Sequence, residues 1–295
     1  MMVSIIIINY KQRDFLSACV ESIFKNIKSS QFEVIIVNNS PEDDLSSLEN
    51  KFPVKLISNK NKGFSNGNNV GAKNSSGEFL FFLNADTIIQ DDFLAPAIKS
   101  LENKNFGASG FKLVNSDDTF QISFGYEISF FNEVKNKNLE KLTWDKDKTR
   151  LSQIEKDFSE IKNVDWVSGA AVLIKKNVFD LVGGFDERFF MYMEDADICK
   201  KISDKGFKIF YYPFTKIVHL KGKNVNQDFR KNSYFYAKES QLIYYKMHRG
   251  IIENFILRIY LFLKFLIFTL VTFDKMNIRF LLLVFKNQAR TSVSR

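Results

Sequence analysis

VSIIIIN, Val3–Asn9, is an apolar run whose length fits one strand buried on both faces of a sheet. Outward from it, Leu16, Cys19, Val20, Ile23, Phe24 and Ile27 recur at helical spacing, and Phe32–Val37 is the next apolar run. With Val54–Ser58 and Glu78–Leu83 the pattern becomes strands alternating with helical or loop segments. That predicts an α/β fold, a mostly parallel central sheet flanked by helices. Such sheets bind ligands at the carboxyl ends of their strands. Asn9 and Tyr10, Asn38 and Asn39, Asn59, Asn84 and Asp86 fall there.

Regular pattern lapses over Asn115–Lys162, which is charged and weakly periodic and is expected to form variable loops or a partly ordered insertion without chemistry. It resumes with WVSGAAVLI, Trp166–Ile174, read as one strand, and a short helix over Asn177–Val182. Phe207–Tyr212 and Lys216–Leu220 read as two further strands, and Asn232–His248 as a Tyr-rich helix.

Composition narrows the function classes. A chain of 295 residues that is 45% hydrophobic can bury a real core, which excludes a disordered protein. The start, Met1-Met2-Val3-Ser4, lacks the basic n-region of an export signal, and Cys19 and Cys199 match no metal or redox spacing; reduced core thiols in a cytosolic protein are expected. The net charge is +8, but nine Lys/Arg against two acids lie from Lys246 onward, so the rest of the chain is nearly neutral. A basic, apolar tail on a neutral body suits an anionic membrane surface and argues against a nucleic-acid partner.

Four constellations carry candidate chemistry. GGFDERFFMYMEDAD, Gly183–Asp197, sets five acids among aromatics ahead of a helical pattern. Carboxylates at a helix N-terminus are favoured by its free N–H groups and dipole, and Asp197 is expected to cap this helix. Capping leaves Asp186 and Glu187 unexplained, and the apolar rings would raise the pKa of a neighbouring acid toward general-base duty. Asn84 and Asp86, at the end of EFLFFL, are an i, i+2 pair of oxygen ligands for a hard cation or an Asx turn. Gly63, Gly67 and Gly71 stand four apart, which is not the dinucleotide-binding spacing and argues against a Rossmann oxidoreductase. Their spacing allows close packing on the sheet, while Asn66, Asn68 and Asn69 offer polar groups to a ligand. His219 ends the strand KIVHL ahead of Lys221, Gly222 and Lys223, a basic turn suited to a diphosphate.

In order, SIIIINY (4–10), VNNSPED (37–43), NKGFSNGNNVGAKNSSGEFLFFLNADT (61–87), WVSGAAVLI (166–174), GGFDERFFMYMEDADIC (183–199) and PFTKIVHLKG (213–222) resemble family 2 glycosyltransferases, most closely their rhamnosyltransferase-like branch. The resemblance implies a GT-A fold, a nucleotide-diphosphate sugar donor (dTDP or UDP favoured), a divalent cation, Mn2+ or Mg2+, and inversion at the anomeric carbon. It places Asp86 and Asn84 in the metal-binding Asp-x-Asp slot, with His219 as second protein ligand of the metal. Asp195 falls on the catalytic base, and Glu194 is expected to orient it or the acceptor. Trp166, Ser168 and Gly169 fall on the acceptor side, and Asp43 on the acidic residue after the second strand. Asn9, Tyr10, Asn38, Gly63, Asn66, Asn68, Asn84 and Lys221 complete the expected donor side. The family usually has Asp where this chain has Asn38, which still accepts through its carbonyl but lacks the charge.

The resemblance implies a catalytic domain over 1–222, a helix over 223–250 near the acceptor side, and a basic tail over 251–295. The tail's longest uncharged run, Phe265–Phe273, is short of the ~20 residues of a membrane span. At ~100° per residue, Glu253, Arg258, Lys264, Lys275, Arg279, Lys286 and Arg290 fall within an arc of about 140°, with Asp274 outside it as a cap. An interfacial amphipathic helix pair is expected, peripheral on the cytoplasmic membrane face; the alternative is a pair packed on the protein or forming a homodimer. The expected activity is transfer of a rhamnose-like deoxyhexose to a glycan or lipid-linked acceptor. The rivals are a catalytically silent nucleotide-sugar-binding scaffold and a metal-dependent phosphohydrolase.

Overall fold

The computed structural model describes residues 2–145, 147–221, 227–272 and 275–285. Its strands are β1 (Met2–Asn9), β2 (Gln31–Asn38), β3 (Val54–Ser58), β4 (Phe79–Asn84), β5 (Thr87–Ile89), β6 (Phe106–Val114), β7 (Phe120–Gln121), β8 (Phe124–Gly125), β9 (Lys162–Asn163), β10 (Trp166–Val167), β11 (Ala171–Lys175) and β12 (Lys208–His219). The helices are α1 (Arg13–Asn26), α2 (Ser46–Lys51), α3 (Phe64–Lys73), α4 (Leu94–Leu101), α5 (Glu133–Asp145), α6 (Lys148–Asp157), α7 (Lys176–Leu181), α8 (Glu194–Asp204), α9 (Gln227–His248), α10 (Ile251–Thr272) and α11 (Lys275–Phe285). The main sheet runs β3-β2-β1-β4-β11-β6-β12-β5, with β7 beside β6 and β9 beside β12. β1 to β4 pair in parallel, as do β6 and β12, whereas β11 is antiparallel to both β4 and β6.

Period-two alternation in β1 explains why it reads as continuously apolar. Val3, Ile5 and Ile7 enter the core shared with α1 and α4, while Ile6 and Ile8 enter the core beneath α3, α7 and α8. Each fully buried Ile contributes about 1.5–3 kcal/mol. Both sheet faces are covered, so β1 has no polar face to show. Gly67 and Gly71 let α3 lie directly on this sheet, since a Cβ on Gly71 would come within 2.4 Å of Ile6. Cys19 and Cys199 are free and buried, and burial pushes both thiols up to about 12.

Several expectations need correction. Asn115–Lys162 is not structureless: it forms β7, β8, α5, α6 and the start of β9. Its helices are mostly polar all round, which hides their period. Trp166–Ile174 is not one strand, because Ser168–Ala170 breaks it between β10, which pairs with β8, and β11 in the main sheet. The two strands expected over 207–220 are one, β12, with a register shift between Tyr212 and Ile217.

The tail packs on the protein. Leu257, Leu261 and Phe265 of α10 and Phe280, Leu283 and Val284 of α11 join Leu242, Ile243 and Tyr245 of α9 in a third core. Its charged arc turns inward: Glu253 accepts from Phe130 N, Arg258 donates to Asn254 and to the Val284 carbonyl, and Arg279 lies over the Phe235 ring. The outer surface is left apolar. α10 is one continuous helix of 22 residues, long and apolar enough by length and composition to cross a membrane, although its sequence is interrupted by charges. Asp274, Lys286 and Arg290, like Gly222 and Lys223, lie outside the described residues.

Candidate active site

Three clusters gather at the carboxyl ends of the parallel strands. In the first, the buried Asn9 amide at the end of β1 donates to Asn38 Oδ1 and to Asp43 Oδ2, both at 2.9 Å. Ser40 N also donates to Asn38 Oδ1, and Asn38 Nδ2 donates to the Asp43 carbonyl at 3.2 Å. Asn38 therefore braces the turn after β2, and Asp43 is held at its mouth. A neighbouring depression of about 370 Å³ is lined by Asn38, Asp43, Leu45, Leu56 and Ser58. Tyr10 is exposed beside this network, with Lys11 over its ring.

The second cluster lies between β4 and β12. The strand stops at Asn84 and the chain turns at Ala85–Asp86 rather than running on extended. β5 then pairs antiparallel with β12, setting Thr87 opposite His219. This register brings His219 Nε2 to 3.4 Å from Asp86 Oδ1, both largely buried. The other ring nitrogen, Nδ1, is 2.9 Å from Gln121 Nε2 on β7. Turning that amide over lets Gln121 Oε1, otherwise without a partner, accept from Nδ1–H and leaves the Nε2 lone pair toward Asp86. Asn84 Oδ1 is likewise buried with no hydrogen-bond partner. Among the described residues no group of three or more His, Cys, Asp or Glu forms a metal cluster. One carboxylate, one imidazole and one orphaned amide oxygen nevertheless fit a hard divalent cation whose remaining positions go to phosphate oxygens and water.

The third cluster is the acidic loop and the start of α8. Asp195 is half-buried; its Oδ2 accepts from Gly169 N at 3.1 Å and its Oδ1 from Ala196 N at 2.8 Å. Burial raises its pKa, and those two N–H bonds hold the rise in check. Glu194 is more deeply buried, and its Oε2 has no partner. Burial first, then the charge of Asp195, pushes Glu194 well above the usual carboxylate range. The folded chain binds the Glu194 proton more tightly than the unfolded one. This group's contribution to stability is thus present below the ordinary carboxylate pKa and is lost as pH rises through the raised value.

The remaining acids have other partners. Asp186 is bound two-pronged by Arg188, which outweighs burial and lowers its pKa. Glu187 accepts from Asn66 and Asn69 of α3, and Asn69 also exchanges two bonds with Phe185. Glu187 ties the loop to α3, and Asp186 braces it from within. Asp197 does not cap α8: the N-cap position is Met193, and Asp197 pairs with His248. Gly63, at φ +105, accepts no side chain, because a Cβ would lie 2.5 Å from the Phe190 carbonyl that bonds to Phe64 N. Asn68 is buried and donates to Phe64 O within its own helix. Trp166 donates to the Tyr126 carbonyl and covers Gly125. Lys221 follows β12 with φ 52, one residue after Leu220 N bonds the Asp86 carbonyl.

One segment joins the second and third clusters. Asn84 N donates to Ala170 O at 2.9 Å, and the preceding Gly169 N donates to Asp195. Ser168 N is in turn fixed by Ser123 O. The break in the expected strand is thus what spaces Asp195 from Asn84. Sequence reading missed Gln121, Ser123 and His248; for His248 a signal existed, since the chain has only two histidines.

The glycosyl transferase family 2 profile matches residues 4–180. The chain is 26% identical over 226 residues to rhamnosyltransferase WbbL of Escherichia coli K12, covering 74% of this chain and 83% of that protein. It is 33% identical over 87 residues to the N-acetylglucosaminyl-diphospho-decaprenol L-rhamnosyltransferase of Mycobacterium tuberculosis, covering 30% of this chain but only 28% of that one. In three dimensions it resembles GalNAc-T7, crystallised with UDP, GalNAc and Mn2+, at a TM-score of 0.57 and 15% identity, over 83% of this chain and 50% of that chain. A profile match over residues 4–180, more than half of the chain, shows that the chain belongs to glycosyl transferase family 2, a glycosyltransferase of the rhamnosyltransferase-like branch with a GT-A fold.

Proposed function

We propose that this enzyme transfers a rhamnose-like deoxyhexose, with inversion, from a dTDP or UDP donor to a glycan or lipid-linked acceptor in cell-surface polysaccharide synthesis. The observation that carries the reading is the Ser168–Ala170 segment, bonded to Asn84 on one side and to Asp195 on the other. It sets a candidate base beside a candidate metal site without merging them. Asp86, His219 and Asn84 would hold a divalent cation, Mn2+ or Mg2+. When bound, such a cation offsets charge growing on the diphosphate leaving group. Asn9, Asn38 and Asp43 border the nucleoside, with Tyr10 and Lys11 at its edge, and Gly63, Asn66 and Lys221 lie toward the donor. Asp195 Oδ takes the proton from the acceptor hydroxyl as that oxygen attacks the anomeric carbon. Glu194 orients Asp195 or the acceptor. Trp166, Ser168 and Gly169 form the acceptor side.

Family membership and the activities named for the relatives support transfer of a sugar over the silent scaffold and the phosphohydrolase. The test is a panel of nucleotide sugars scored for thermal stabilisation with and without Mn2+. A dTDP or UDP sugar is expected to stabilise the chain more with metal than without. Stabilisation by no donor in the panel would sink the reading.

We place residues 1–222 as the catalytic domain, 223–250 as the helix beside its acceptor side and 251–295 as the membrane-associating tail, on the inner face of the cell membrane. Ile251, Phe255, Ile259, Leu263, Ile267 and Val271 recur every four residues along α10 and are all exposed. Such a stripe exceeds what a soluble surface normally shows and suits the acyl boundary of a bilayer. In the full-length chain, Phe255→Glu with Leu263→Glu is expected to cut sedimentation with anionic vesicles at least about tenfold, each residue contributing about 2 kcal/mol of apolar burial. The melting temperature should hold, because both side chains point away from α9. Wild-type sedimentation by this variant, or a concentration-dependent dimer that it abolishes, would replace the membrane with protein as the occupant.

A further inference from the structure

The first turn of α8 has a weak start of its own. Tyr192 and Met193 precede it with φ of 71° and 65°, a left-handed pair that non-glycine residues rarely adopt, and the N-cap makes no side-chain bond. Contacts from elsewhere must hold it. Gly169 supplies one, to Asp195. The other comes from the far end of the chain: Asp197, two residues after Asp195 and fully enclosed, has its Oδ1 2.6 Å from Nε2 of His248. Its Oδ2 makes no hydrogen bond among the described residues and has Lys201 Nζ at 3.5 Å.

His248 is the last of a series on one face of α9. Tyr236, Ser240, Tyr244 and His248 stand four apart, and Tyr236, Ser240 and His248 meet the acidic segment in order, at Phe190, Met191 and Asp197. The Tyr236 ring packs on Phe190 at 4.9 Å, Ser240 Oγ donates to the Met191 carbonyl at 2.9 Å, and Tyr244 packs on the His248 ring at 4.7 Å. Arg249 then fixes the end of the helix by donating to Ile128 O and pairing with Glu127. α9 lies along Phe190–Asp197 as a splint: Leu242, Ile243, Tyr244 and Tyr245 share a core with Ala196, and its terminal contact is the polar one that reaches the turn bearing Asp195.

We propose that His248 is a positioning residue for Asp195: through the buried Asp197 carboxylate, α9 holds the first turn of α8 so that Asp195 keeps its aim at the acceptor. The proposal rests on Asp195 as the base. A turn that loosens by an ångström misplaces a base without touching the donor site, so the loss falls on kcat, by about 10- to 100-fold.

The test uses the full-length chain with dTDP-rhamnose, or whichever donor the panel selects, and follows kcat, donor KM and amide exchange of residues 190–204. His248→Ala is expected to lower kcat by that factor with donor KM within about twofold, and to speed exchange in this segment selectively. His248→Gln, which can still donate to Asp197 Oδ1, is expected to recover most of both. Wild-type kcat and exchange in His248→Ala would overturn the proposal. So would a loss carried by KM, or by faster exchange throughout the chain, that Gln does not rescue. Asp195→Asn separates the two readings. If it stays active the base assignment fails, and exchange alone still decides whether His248 holds the turn; if it is inactive while His248→Ala matches wild type, only the positioning role falls.

Discussion

Asp195→Asn is expected to lower transfer by about three orders of magnitude, the middle of the range for a single general base. The amide keeps the shape of the carboxylate and one acceptor oxygen for Gly169 N or Ala196 N, so the turn should fold, but it has no basic lone pair for a hydroxyl proton. Asp195 lies across Gly169–Ala170 from Asn84, and the metal-dependent stabilisation by donor should therefore persist. The outcome to look for is an inactive protein that still binds. Turnover at the wild-type rate would remove Asp195 as base, and loss of donor binding would place it on the donor side. The wild type should also show an acid limb. Because burial raises Asp195, kcat/KM is expected to increase with pH through a midpoint above the ordinary carboxylate range, as the base ionises. Burial and the neighbouring Asp195 charge raise Glu194 as well, so the limb belongs to the pair.

How much of this was legible in the sequence depended on how local its cause is. Strands buried on both faces announce themselves as apolar runs, and β1 through β4 came out within a residue at almost every end. Helix α1 was equally plain, since Leu16, Cys19, Val20 and Ile23 are buried at the expected spacing. WVSGAAVLI misled because apolar composition cannot mark where a chain leaves one sheet for another. Ser168–Ala170 is spent on bonds to Ser123, Asn84 and Asp195, all distant in sequence. Acidity misled in a similar way: Asp186 and Glu187 stand unexplained by capping in the sequence, and they are clamps, Asp186 held by Arg188 two residues on and Glu187 by Asn66 and Asn69, which no local pattern pairs with it.

The polar helices α5 and α6 were unreadable for a different reason. Little of either helix is buried, so neither carries a clear apolar stripe, and the segment looks like loop. Gln121 sits at its edge and turns His219, yet a lone glutamine in a charged stretch has nothing to distinguish it. The tail shows the opposite failure. Its charged arc was correctly seen as one side of a helix, but periodicity cannot tell which side meets the protein, and Glu253, Arg258 and Arg279 turn inward.

Asp86→Ala should separate the metal half of the site from the base half. The carboxylate is nearly buried and faces His219, whose ring is held from behind by Gln121. Groups that only orient a metal ligand typically cost 10–100-fold in metal affinity when removed, so losing the charged ligand itself should cost at least about 100-fold. Gln121→Ala supplies the graded control and is expected to fall within the smaller range. Neither change touches the backbone bond from Leu220 N to the Asp86 carbonyl, which keeps β12 in place. Read as donor-dependent thermal stabilisation, the wild type should gain strongly on adding Mn2+, Gln121→Ala partly, and Asp86→Ala hardly at all. His219 and Asn84 would remain, but an imidazole and an amide supply no negative charge to a hard cation. Equal donor affinity with and without metal in the wild type would mean that the orphaned Asn84 oxygen and the Asp86–His219 pair serve the fold alone.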